Sequence, residues 1–183
     1  RMIKNLYEYF SQKKGLMTYP ASDIGVFFKT NNLAKTPNAQ IHFAPGAGEY
    51  NKSGAMKPSS GITASVCNLR PKSRGYLELA SSDPFDAPKI YANYLDEITD
   101  LQWMVEGVNK VREIFQTAPM QELEAQESKP GIKFTEKADL EEFIREEALS
   151  VYHPIGTCKM GEGDECVVDA HLKVKGIKGL RVA

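Results

Sequence analysis

The chain has 183 residues, 42% of them hydrophobic and 26% charged, and its 23 basic and 24 acidic side chains leave a formal net charge of −1. That length suits one domain or one and a half, enough to bury roughly 70% of the surface of the unfolded chain. The charge balance offers no electrostatic footprint for nucleic acid or an anionic membrane, and no run of about 18 apolar residues is present to span a bilayer.

In chain order, "DIGVFFKT" (23–30) and "NAQIHFAP" (38–45) are short, apolar or alternating, and bounded by Asn, Pro and Gly, which predicts strands. "GITASVCNL" (61–69) and "GYLELAS" (75–81) have the same character, and the intervening "RPKSRG" (70–75) has the composition of a turn that closes a hairpin. "SSDPFDAPKIYANYL" (81–95) carries two prolines, each holding the preceding residue extended, so a loop and a short strand are expected.

From Ile98 the period changes. Leu101, Met104, Val105, Val108, Val111, Ile114 and Phe115 recur at helical spacing and predict a helix with one face toward a core. Thr99 and Gln102 fit a capping box at its start, and Pro119 lies beyond its end. A second helix is expected after Thr135, with Leu140, Phe143 and Ile144 inward, and "AQESKPGIKF" as the connecting loop. Strands followed by helices, without βαβ alternation, indicate an α+β fold.

Three stretches bear on chemistry. "APGAGEYNKSG" (44–54) has Gly46 and Gly48 after a strand, but Asn51 stands where a third dinucleotide-binding glycine belongs, so a glycine-rich loop outweighs a nucleotide fingerprint. His153, Cys158, Cys166 and His171 are four zinc-capable residues, but they lack the close pairs that help set a tetrahedral site, so no metal is expected. Cys67, Cys158 and Cys166 are odd in number and unpatterned, which is no disulfide framework. The sequon at Asn51 permits glycosylation if the protein is secreted. In "SVYHPIGTCKMG" (150–161), His153 sits on a stiff turn, with φ restricted at Pro154 and free at Gly156. Histidine suits proton transfer near neutrality, and a base needs a rigid support. A lone histidine is more often structural, so chemistry alone leaves both roles open.

"YHPIGTCKMG" followed by "VVDAHLKVKGIKGLRVA" resembles the C-terminal part of the glucose–methanol–choline (GMC) flavoprotein oxidoreductases. "RPKSRGYLELASSDPFDAPKIYANYL", the helix near "TDLQWMVEGV" and the strand "AQIHFAP" also have counterparts there, in the same order, and the animal glucose dehydrogenase-like branch is the nearest in character. The resemblance implies an antiparallel sheet backed by helices over residues 1–150, the substrate-binding domain. It implies that residues 151–183 return toward a Rossmann-type FAD domain. By resemblance, His153 is the base beside the substrate hydroxyl near flavin N5, and Pro154, Gly156 and Thr157 face the cofactor. Tyr152 and Phe43, with His42, stand beside an alcohol or sugar substrate; for Tyr152 and Phe43 the alternative role is core packing.

The first residue is Arg1 and the last residues are "GLRVA", so both ends read as cut from something longer. The flavin fingerprint and the second catalytic residue of the family are not in this sequence. The chain is therefore expected to need the FAD domain of its own polypeptide as a partner, and to be inactive by itself. The alternative is a catalytically silent binding module on the same scaffold.

Overall fold

In the computed structural model, which describes residues 2–19, 22–50 and 56–183, the chain forms two compact units. The first comprises Arg1–Lys72 and Glu97–Glu147, the second Ser73–Asp96 and Ala148–Ala183.

The first unit is built on an antiparallel sheet of β1 (Ile24–Phe28), β2 (Ala39–Tyr50) and β3 (Met56–Asn68), in that order. Val26, Ile41 and Val66 stand opposite one another across the three strands. The two-residue period puts them on one face, where Ile41 and Ala39 are fully buried. Helix α1 (Met2–Tyr7) continues into a π-helical turn (Glu8–Gln12) at the N-terminus, an element the sequence patterning did not announce because Ile3, Tyr7 and Phe10 stay exposed.

Helix α2 (Ile98–Phe115) covers the inner face of the sheet, and α4 (Lys137–Glu147) packs on α2, after the short α3 (Ala118–Gln121). The predicted stripe is the buried one: Leu101 and Val105 lie one turn apart on α2, and Leu140 and Ile144 one turn apart on α4. Each such side chain contributes about 1.5–3 kcal/mol by leaving water. Gly107 sets the approach of α2 to the sheet, because a Cβ there would stand 2.3 Å from Cγ1 of Val66. Arg112 on α2 pairs with Glu127 at 2.8 Å and donates to the carbonyl of Phe134 at 2.9 Å, and Glu127 accepts the N–H of Gly131 at 3.1 Å. This half-buried network holds the 125–134 loop against the helix.

Three local expectations are corrected. Helix α2 begins at Ile98 with Glu97 as its N-cap and has no side-chain capping bond, so Thr99 is already helical and forms no capping box. Asp100 instead is buried at 1% exposure, and its two carboxylate oxygens accept the Lys72 N–H at 2.8 and 3.0 Å. The 70–75 turn closes no hairpin: β3 pairs only with β2 among the described residues, while β4 (Tyr76–Glu78) pairs with β5 (Lys89–Tyr91). The glycine-rich stretch is strand through Tyr50, with a register shift between Pro45 and Ala47 where Gly46 adopts φ +122°. Its tip and the Asn51 sequon lie outside the described residues.

In the second unit, β4 and β5 form a ladder in which Tyr76 and Tyr91 stack at 4.6 Å. Gly75 precedes it because a Cβ would meet the carbonyl oxygen of Tyr91 at 2.3 Å. The core of this unit is small, with Cys166 and Val168 buried.

Gly107→Ala is expected to destabilise the first unit by about 1–3 kcal/mol, the usual cost of overpacking. Urea unfolding of Gly107→Ala, Val66→Ala and the double variant checks this. The double variant should be less destabilised than the sum of the two, since trimming Val66 makes room for the new methyl group.

Candidate functional site

The 148–158 segment contains no helix or strand, and every residue from Val151 to Met160 is exposed. Tyr152 adopts φ +59°, a left-handed conformation that a bulky residue enters only under constraint. Its N–H donates to Oγ of Ser150 at 2.9 Å, which helps to hold the kink. His153 follows directly, and among the described residues its imidazole has no hydrogen-bond partner. Pro154 restricts the next φ. Gly156 lies at φ +92° with open space where a Cβ would stand, so a flat ring can approach the backbone there, and Thr157 opens the following turn. These features fit a flavin: an open backbone face next to an imidazole with both ring nitrogens available.

The segment that follows is woven by backbone bonds of its own. Lys159 accepts N–H bonds from Val167 and Val168 at 2.9 and 3.2 Å, and the Gly161 N–H returns to Val168 at 3.0 Å. Val174 donates to Leu180 at 3.0 Å and Val182 to Leu172 at 3.1 Å. Nζ of Lys159 pairs with Glu165 at 2.9 Å, which raises the lysine pKa and lowers that of the glutamate. Gly161 is obligatory in this weave, since its φ is +152° and a Cβ would sit 2.7 Å from Sγ of Cys166. Asp169 closes the last turn, its Oδ1 accepting the N–H of His171 at 2.8 Å and of Lys173 at 3.0 Å. Those donors, the Lys173 bond foremost, hold its carboxyl below the usual carboxylate range.

Phe43 and His42 belong to the first unit, on β2. Strand alternation separates them. The Phe43 ring faces α2 and packs on Phe115, with centroids 6.2 Å apart. His42 stands on the opposite face, where its Nε2 is buried without a hydrogen-bond partner. A buried polar atom left unpaired is costly, so Nε2 is a group awaiting a donor or acceptor. Burial also pushes the Cys67 thiol pKa up, which keeps it an unreactive thiol. Among the described residues no three His, Cys, Asp or Glu side chains converge as metal ligands.

A family model described as GMC oxidoreductase matches residues 71–183. Over its whole length the chain is 36% identical to an alcohol dehydrogenase [acceptor] of Pseudomonas putida, of which it covers 33%. It is 38% identical, over 92% of its length, to an oxygen-dependent choline dehydrogenase of Chromohalobacter salexigens, of which it covers 30%. The chain thus spans about a third of the length of the curated relatives it matches. Among solved structures, the fold is that of a formate oxidase from Aspergillus oryzae, with a TM-score of 0.82, 21% identity, and coverage of 100% of this chain and 36% of that one.

A carboxyl whose folded-state pKa is depressed stabilises the fold above its unfolded value, and that contribution disappears as the pH falls through the folded value. The Asp169 turn is accordingly expected to hold at a pH where an ordinary aspartate is half protonated, and to open on further acidification. Amide exchange at His171 and Lys173 measures it. In Asp169→Ala both amides should exchange freely at every pH.

Proposed function

The chain belongs to the GMC oxidoreductase family, and from that premise we propose that it forms the substrate-binding part and the catalytic-histidine segment of an FAD-dependent enzyme that oxidises the CH–OH group of an alcohol or sugar. Residues 1–150 contribute the substrate side, and residues 151–183 return toward a flavin-bearing domain of the same polypeptide. The observation that carries this reading is the exposed imidazole of His153, set directly after the left-handed Tyr152 and before the hydrogen-bonded 159–182 segment. The alcohol and choline dehydrogenases among the relatives support the substrate class.

FAD, when bound, supplies the acceptor for the hydride leaving the carbinol carbon. The unprotonated ring nitrogen of His153 takes the hydroxyl proton, and its charged form then stabilises negative charge developing on that oxygen. Pro154, Gly156 and Thr157 would offer a backbone face to the flavin ring, and Tyr152 would wall the substrate. Phe43 braces β2 from the helix side, its ring packed on Phe115. Tyr152 and Ile155, both nearly fully exposed, suit burial against the flavin-bearing domain.

In the flavin-loaded enzyme, His153→Ala is expected to lower kcat by about 10²–10⁴, the usual worth of a general base. The flavin absorbance should be retained. Steady-state kinetics checks this; a variant that turns over at the normal rate would remove His153 from the mechanism.

A further inference from the structure

Away from the histidine loop, the first unit carries a groove of about 650 Å³ that runs on into a second depression of about 350 Å³, the two sharing Asn31, Leu33, Thr99 and Trp103. One wall is the 30–38 turn. Asn38, 3% exposed, accepts the Thr30 N–H at 2.9 Å and donates to Thr30 Oγ1 at 2.8 Å. Oδ1 of Asn31 accepts the N–H groups of Leu33 and Ala34 at 3.0 and 3.1 Å. This bonded turn holds the side chain of Leu33 out at the rim, 90% exposed, beside the half-buried indole of Trp103.

The charge lining the groove is one-sided. Lys35, Arg70, Lys72 and Lys137 are set against a single acid, Glu106, in a chain whose net charge is −1. Lys137 is shared with Glu141 at 3.6 Å, whereas Lys35 and Arg70 have no acidic partner among the described residues. A neutral apolar ligand would leave Lys35 and Arg70 without a carboxylate, and a small anion would leave Leu33 and Trp103 uncovered. Tryptophan and arginine are the side chains that most often carry binding energy at an interface, and flanking charges set its salt dependence.

We propose that this groove docks an acidic peptide segment of a partner protein. One apolar side chain of the segment lies against Trp103 and Leu33, and its carboxylates meet Lys35 and Arg70. The assignment stands apart from the oxidation chemistry, because it uses none of the residues given a role there.

Trp103 is the only tryptophan of the chain and reports directly on the groove. The 183-residue chain is titrated with a pentapeptide of glutamates flanking one phenylalanine, with its lysine counterpart and with free glutamate, following tryptophan emission at low and high salt. The expected result is a saturable change with the acidic peptide alone, weakened by salt. The double charge reversal Lys35→Glu, Arg70→Glu should weaken it at least tenfold, and Leu33→Ser should also weaken it. All three positions are exposed, and far-UV circular dichroism verifies that the variants fold. No saturable change, equal responses to both peptides, saturation by free glutamate, or indifference to these substitutions would each overturn the proposal.

Discussion

The first unit depends on how closely α2 can approach the sheet. Gly107 has no side chain at the point where Val66 projects, so helix and strand meet backbone to methyl group. That contact lets Leu101 and Val105 reach the layer under Ile41, and it gives α4 a surface on which to bury Leu140 and Ile144. A larger residue at 107 would lift the helix and open gaps along the whole interface, where each lost contact is individually small and collectively decisive.

Asp100 ties the same helix to the chain leaving β3. A buried carboxylate is tolerable only when hydrogen-bonded, and the Lys72 N–H supplies part of what it needs. The helix start and Lys72, the last residue of the first unit's N-terminal segment, are thereby held by one side chain. In the second unit an apolar core of two residues could not position a loop alone. Backbone bonds among residues 159–182 organise the rest of that unit, and the left-handed Tyr152 turns the chain just before His153. Exposed strain of this kind persists where the surrounding structure enforces it, and such positions concentrate at functional sites.

Some of this was legible in the residues. Leu101, Val105, Leu140 and Ile144 announced two amphipathic helices because a 3.6-residue period is a local property, readable without knowing the partner surface. The strands at 24–28, 39–45 and 61–68 were legible from alternation and flanking Asn, Pro and Gly, and the α+β architecture followed. The order of motifs around "YHPIGTCKMG" identified the family, which rests on many positions at once. Turn composition misled at 70–75: "RPKSRG" has the residues of a hairpin turn, yet β3 takes β2 as its partner and β4 takes β5. Strand pairing is a choice among distant segments, and local composition does not encode it.

The sequence by itself determined the periodic elements, the fold class, the family and the prominence of His153, because these are properties of neighbouring residues and of their order. Only the tertiary structure decided that Asp100, rather than Thr99, is the polar anchor of α2, since its partner lies 28 residues away. It alone decided that the Phe43 face of β2 is the one that meets α2, and it brought Trp103, Leu33 and Arg70 to one groove. Each of these depends on which surfaces meet once the chain has folded, and burial and pairing are settled there by contacts that no local pattern contains.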